Sequence, residues 1–465
     1  MNRDNISALL TALAVISLIV GFAIYFNSPE LNTVGGESIR QQQLIDKILT
    51  PEPSESVSSE STATRGSSDG EKARNMLVEP ASTRENNPVV IKLNRTEFDE
   101  IDRSKFREAP NFEEISGYIN TNDSKPLDLQ SLKGNVVLVD FWTYSCINYI
   151  RTIPYLNDWY EKYSDKGLTI VGVHTPEFEF EKNFNNVKSA VDKFQIKYPV
   201  LQDNDKGTWN AYENRYWPRK YIIDTEGNIR YDHIGEGAYS ETEKVLQYLL
   251  AERAAKLGRT EITFSNISNS TVPAGGGNSK AIEIDFSKIQ TPEIYLGYQL
   301  AQERLGNTEN FQPDRTVSYT IAHDNNSNNS SNTDFKPNMV YLEGRWKNNP
   351  DNIELQSEMG RIVLNYSAKS VNIVAGGPLS ATGRVSVDNF TNLIDAPMSF
   401  LSSLSSNSQQ EVEEGLGANI SDGMSQFSID SQRLYNLVNN NEYGQHVVTI
   451  DIRGKGFKLY IFTFG

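Results

Sequence analysis

Apolar residues are unevenly distributed along this chain. Ile6 to Phe26 is an unbroken, uncharged run of 21 residues, about the length a helix needs to cross a bilayer. The run closes on Ile24, Tyr25 and Phe26, not on a small-residue cleavage site, which predicts a retained anchor over a signal peptide. Arg3 precedes it, while Glu30 and Glu37 follow. That bias puts residues 1–5 in the cytoplasm and the bulk of the chain outside. The next 71 residues, Asn27 to Glu97, contain no Phe, Trp or Tyr. A stretch such as PEPSESVSSESTATRGSSDGE cannot bury enough apolar surface to offset the entropy of ordering. Residues 27–105 are therefore expected to form a flexible tether.

From residue 106 the pattern becomes that of a packed domain. NVVLVDFW at 135–142 is a buried type of strand with one acid inside it. It runs into a segment where Ile150, Ile153, Leu156, Trp159, Tyr160 and Tyr163 recur at helical spacing, with Gly167 as the stop and Pro154 inside. Further strands are expected in LTIVGVHTPE (168–177) and at Lys220–Asp224, with helices near Lys182–Phe194 and Ser240–Ala255. The result is an α/β domain over 106–255. The strip AGGGNSK sits in a linker at 256–280. Beyond it, AIEIDF, TVSYTIA, RIVLNYSA, SVNIVAG, RVSVDNF, HVVTIDI and FKLYIFTF alternate with turn residues. They predict an all-β sandwich or jelly roll over 281–465.

Charge and composition narrow the chemistry. Lys and Arg number 44 against 60 Asp and Glu, a net charge of −16, which opposes any nucleic-acid-coating role. The four histidines (His174, His233, His323, His446) show no ligand spacing, and there is one cysteine. A disulfide within the chain, a Cys-rich zinc site and an iron–sulfur cluster are excluded, and no cofactor is expected. No P-loop, GxGxxG or serine-triad spacing is present. Sequons at Asn94, Asn266, Asn269, Asn365, Asn389 and Asn419 fit an external location. The lone thiol, Cys146, falls where the buried strand turns into the helix. Unpaired amides at a helix N-terminus favour a thiolate.

The run VDFW, Cys146 four residues after Trp142, Pro154 eight further on, and Pro218 ahead of the strand at 220–224 together resemble the thioredoxin superfamily. An extra unit before Pro218 is similar to the TlpA/ResA-type branch. WTYSCIN, RTIPYL, GVHTPEF, NRYWPRKYIID and HIGEGAYSETE resemble the C-terminal region of DipZ-type proteins. So do TPEIYLGY, LEGRW, RLYNLV and the terminal YIFTFG, which lie in the following β domain. The resemblance implies a redox fold in which Cys146 attacks a partner disulfide. It also implies that Pro218 is a cis-proline offering backbone groups to the substrate. The chain departs from that pattern at Tyr149, which stands where the second cysteine of C-x-x-C would be. One helix also replaces the multi-span domain that often precedes these parts.

The remaining candidates carry two readings each. Asp140 matches the buried acid that serves the resolving cysteine, or is a structural carboxyl. Glu177 matches the acid kept beside the thiol, or is an exposed loop residue. Trp142, Tyr144 and Trp217 are expected to rim the cysteine and position a substrate, or to be core. Tyr149 is either a donor to the thiolate or a packing residue. Thr143, three residues before Cys146, is half of a peroxiredoxin motif whose proline is here Val139; Arg151, Arg215 and Arg219 are available as its arginine. Three functions follow. The first is a one-cysteine thiol–disulfide exchanger of extracytoplasmic proteins, cleared by an external or small thiol. The second is a redox-inactive binding module whose β domain recognises protein or glycan, with Trp346, Tyr341, Tyr366 and Tyr435 as candidate sugar contacts. The third is a one-cysteine peroxidase with an antioxidant role.

Overall fold

The computed structural model describes residues 88–99, 101–121, 125–265, 284–301, 303–321, 335–388 and 424–465. The expected anchor at 6–26 lies outside them, as does most of the tether and the AGGGNSK strip. Among the described residues no helix is long and apolar enough to cross a membrane.

The tether does not extend to residue 105. Strand β1 (Val89–Lys92) and helix α1 (Arg95–Asp99) are already part of the fold. β1 pairs antiparallel with β8 (Glu261–Phe264), so the linker expected from 256 also begins later. Ile91 is buried opposite Ile262, and Phe98 is only 1% exposed, its ring 5.7 Å from that of Tyr248. Ile91 and Phe98, with Val89 and Leu93 packed beside them, join the core because their partners come from the far end of the domain.

The first sheet runs β2 (Gly117–Ile119), β5 (Val200–Gln202), β4 (Leu168–His174), β3 (Val136–Trp142), β6 (Arg219–Ile223) and β7 (Ile229–Ile234) in spatial order. β3 is parallel to β4 and antiparallel to β6, and every one of its residues is buried. Alternate side chains serve two cores, as strand geometry requires. Val136 and Leu138 meet helices α2 (Ile147–Tyr163), α3 (Phe184–Lys193) and α5 (Tyr239–Lys256). Val137, Val139 and Phe141 meet Trp209, on the short helix α4 (Gly207–Ala211), and Tyr212 just after it.

The C-terminal strands form one nine-stranded sheet instead of two facing sheets. They are β9 (Ile294–Tyr295), β10 (Thr316–Tyr319), β11 (Val340–Asn348), β12 (Ile353–Leu355), β13 (Met359–Gly376), β14 (Thr382–Val387), β15 (Met424–Ser428), β16 (Arg433–Arg453) and β17 (Lys458–Phe464). β11 pairs with β12 and β13, and β17 also pairs with both, so these four strands close a ring. The closure depends on β13. RIVLNYSA and SVNIVAG are one strand, with a register shift against β16 between Ala368 and Ser370. Such a shift bends a strand, and here the first half of β13 pairs with β11 and the second with β17. The described part of AIEIDF is not a strand: Asp285 caps a single turn at Phe286–Lys288. Trp346, Tyr366 and Tyr435 are buried in this core and Tyr341 is half-buried, so they pack instead of forming a sugar platform. Tyr460 and Ile461 of β17 leave that core to pack in the same cluster as Trp142 and Tyr149, joining the domains.

Candidate active site

β3 ends at Trp142, and the chain turns through Thr143–Ser145 into α2 with Cys146 as its N-cap. The thiol is half-buried. The backbone amides of Asn148 and Tyr149 favour the thiolate, as expected for a helix N-terminus, although the sulfur makes no capping hydrogen bond. Burial, then the carboxylates of Glu177 and Glu293, act the other way and push the thiol well above its ordinary value. The helix N-terminus was visible in the sequence. The opposing carboxylates come from other elements and were not.

Glu177 follows β4 and is half-buried. Burial, then Glu181, raises its carboxyl to about 8, although the Tyr295 hydroxyl donates to it and Lys206 lies near. Glu181, which sequence reasoning passed over, is fully buried. It accepts from Ser145 Oγ at 2.5 Å and from the backbone N–H groups of Glu177 at 2.7 Å and Phe178 at 3.0 Å. It thus ties the loop bearing Glu177 to the residue preceding the cysteine. The alternation in PEFEFEK reads as an exposed loop; a turn at Glu179–Lys182 carries Glu181 inward.

Asp140 is fully buried and makes no hydrogen bond among the described residues. Burial raises it to about 7, opposed by Lys220, its cross-strand neighbour on β6. Tyr149 is one helical turn from Cys146 and is also fully buried. Its ring stacks on Trp142 with centroids 4.6 Å apart, and its hydroxyl lies 3.2 Å from that of Tyr198, not on the thiol.

The aromatic rim is smaller than expected. Trp142 is fully buried, and Tyr144 stacks on the buried His174 at 5.6 Å, so both are floor and not rim. Burial lowers His174 to about 3, which keeps it neutral. Trp217 is half-buried, donates from Nε1 to Thr175 O at 3.0 Å and packs on Trp209 at 4.3 Å. The Trp217–Pro218 bond is cis. Thr143 is fully buried. Arg151 is held by Glu236 and Arg219 by Asp232, which leaves neither aimed at the thiol; Arg215 is exposed. Among the described residues no three His, Cys, Asp or Glu side chains gather as metal ligands. An open cleft of about 960 Å³ lies between the domains, bordered by Glu177, Lys206, Lys347 and Tyr460.

Comparison with known proteins agrees with this geometry. The model of the AhpC/TSA family matches residues 107–232, and that of the thioredoxin-like C-terminal domain matches 291–397 and 402–465. Protein DipZ of Mycobacterium tuberculosis is 38% identical over 273 residues, which is 58% of this chain and 35% of DipZ. The chain therefore spans only about a third of that relative. Thiol-disulfide oxidoreductase ResA of Bacillus cereus is 30% identical over 141 residues, 30% of this chain and 76% of ResA. YkuV of Bacillus subtilis, also a thiol-disulfide oxidoreductase, is 31% identical over 115 residues, 25% of this chain and 77% of YkuV. A strand–cysteine–helix junction with an acid beside it, in a sheet of this order and at this identity to ResA and YkuV, places the chain in the thioredoxin-like family of thiol-disulfide oxidoreductases.

Proposed function

We propose that this protein performs thiol–disulfide exchange through Cys146 alone, on the extracytoplasmic face of a membrane to which Ile6–Phe26 anchors it. The observation that carries this reading is the position of the thiol. It stands at the N-cap of α2, where the amides of Asn148 and Tyr149 favour its charged form, and Glu177, raised to about 8, stands beside it to take or return a proton near neutral pH. In the forward step the Cys146 thiol gives its proton to Glu177. The thiolate attacks one sulfur of a partner disulfide, and the second partner sulfur leaves as thiolate and takes the proton back. Tyr149 offers no sulfur, so a second, external thiol attacks the mixed disulfide and frees Cys146. One disulfide is consumed and one is formed, with no net oxidation. Trp217 and Pro218 would flank the incoming segment.

One observation favours a second reading. Burial and two carboxylates hold the thiol protonated, which suits a fold kept for binding a protein or glycan. The same feature disfavours a peroxidase, whose attacking group must be a thiolate. Incubation of the full chain with 5,5′-dithiobis(2-nitrobenzoate) and with a disulfide-bonded peptide, followed by intact-mass measurement, separates the two. Exchange predicts an adduct on Cys146 that a small thiol removes. No adduct up to pH 9, with an adduct appearing once the chain is unfolded, would leave the binding module.

A further inference from the structure

The thiol site is not confined to one domain. The Glu177 carboxylate accepts a hydrogen bond from the hydroxyl of Tyr295, which lies on β9 of the C-terminal region. Tyr295 leans on Phe178 with centroids 6.4 Å apart, and Phe178 in turn packs on Tyr460 of β17 at 5.2 Å. The loop bearing Glu177 is therefore gripped from both sides. Glu181 fastens it to Ser145 beside the cysteine, and β9 and β17 close over it from the second domain. Cys146 and Tyr295 both pack, half-buried, against the same core cluster.

We propose that Tyr295 is a positioning residue of the thiol site supplied by the second domain: its hydroxyl holds the Glu177 carboxylate beside Cys146 and thereby slows thiolate formation while the domains are docked. The inference rests on Cys146 being the reacting group. Charged and titratable groups act on the sulfur from two elements: Glu177 from the loop after β4, and Glu293 and Tyr295 from the residue before β9 and from β9 itself; Glu181 and Lys206, ahead of α4, act in turn on Glu177. A second negative charge beside Glu177 is unfavourable, and the bond from Tyr295 stabilises Glu177 in its charged form. Removing that bond makes Glu177 hold its proton to higher pH. The repulsion felt by a Cys146 thiolate then weakens, and the thiol ionises more readily.

The only cysteine in the chain reports this directly. Iodoacetamide alkylation of the full-length protein is followed from pH 6.5 to 9.5 in wild type, Tyr295→Phe, Glu177→Gln and the double variant. Tyr295→Phe should react about threefold to tenfold faster than wild type near pH 9, where Glu177 carries its charge in wild type, and at nearly the wild-type rate below about pH 7.5. Its inflection from Glu177 should move to higher pH. Glu177→Gln should be fast with that inflection gone, and adding Tyr295→Phe should change nothing further. A merely structural tyrosine would leave the inflection in place. Equal rates for wild type and Tyr295→Phe near pH 9, or an equal acceleration in the Glu177→Gln background, would overturn the proposal. Its failure is distinct from failure of the exchange reading, which shows as absence of a disulfide adduct in wild type whatever the alkylation rates.

Discussion

Replacing Tyr149 by cysteine would restore the C-x-x-C spacing, and the structure says what that change costs. Tyr149 is fully buried, its ring stacked on Trp142 and its hydroxyl bonded to that of Tyr198. Truncating a buried aromatic to alanine costs about 3–5 kcal/mol, and cysteine, which keeps a sulfur, falls near about 3. The lost stack adds about 1 kcal/mol. The Tyr198 hydroxyl, left buried without its partner, adds about 1 kcal/mol or more. Reduced Tyr149→Cys should therefore be about 5 kcal/mol less stable than wild type, with a matching fall in the urea midpoint followed by tryptophan fluorescence. Trp142 and Trp159 lie in the affected core. Oxidation should then recover part of the loss, because Cys146 at the N-cap and position 149 one turn later can be bridged; the bridge reads as two thiols lost to maleimide labelling. A reduced variant within about 1 kcal/mol of wild type would refute the packing argument, for it would mean that the aromatic floor closes up without the tyrosine.

Other expectations follow from the same packing. Asp140 has a folded carboxyl at about 7 against about 4 when unfolded, so its stabilising contribution is complete below about pH 4 and lost as pH rises through about 7. Urea midpoints measured at pH 5 and pH 8 should differ more in wild type than in Asp140→Asn. Phe98→Ala, in the segment first expected to be a tether, should destabilise the thioredoxin-like domain by about 3–5 kcal/mol; a change below about 1 kcal/mol would return residues 88–99 to the tether. Glu181→Ala removes the acceptor of three hydrogen bonds and should speed amide exchange at Glu177 and Phe178, measured by deuterium uptake, with little effect on β3.

What the sequence disclosed was local. The β3 run and the helical spacing of α2 are each readable from neighbouring residues, and their junction places Cys146 without further help. Pro218 and Trp217 follow in the same way from the strand that comes after them. Features that depend on distant chain were hidden. Ile91 and Phe98 become core only because β8 and α5 reach them. The ring of four strands requires β13 to change partners at its bulge, which alternation alone reads as two strands. Tyr295 meets Glu177 only through the docking of one domain on the other.

These two kinds of information bear differently on the missing cysteine. In the sequence, Tyr149 is a deletion: a thiol is gone and half a motif is left. In the structure it is a replacement with consequences. Tyr149, Trp142, His174 and Tyr144 form a continuous column of rings beneath Cys146, each in contact with the next. With the column in place, the space where a resolving sulfur and its proton path would lie is filled by apolar surface, and Asp140 is sealed behind it without a hydrogen bond among the described residues. The groups that act on the thiol's charge are instead Glu177 and Glu293, with Tyr295 bonded to the first. Among the described residues, the two carboxylates whose charge acts on Cys146 are Glu177, bonded to Tyr295 of the second domain, and Glu293, which belongs to that domain. If Tyr295 positions Glu177 as proposed, the ionisation of Cys146 responds to how the second domain is seated.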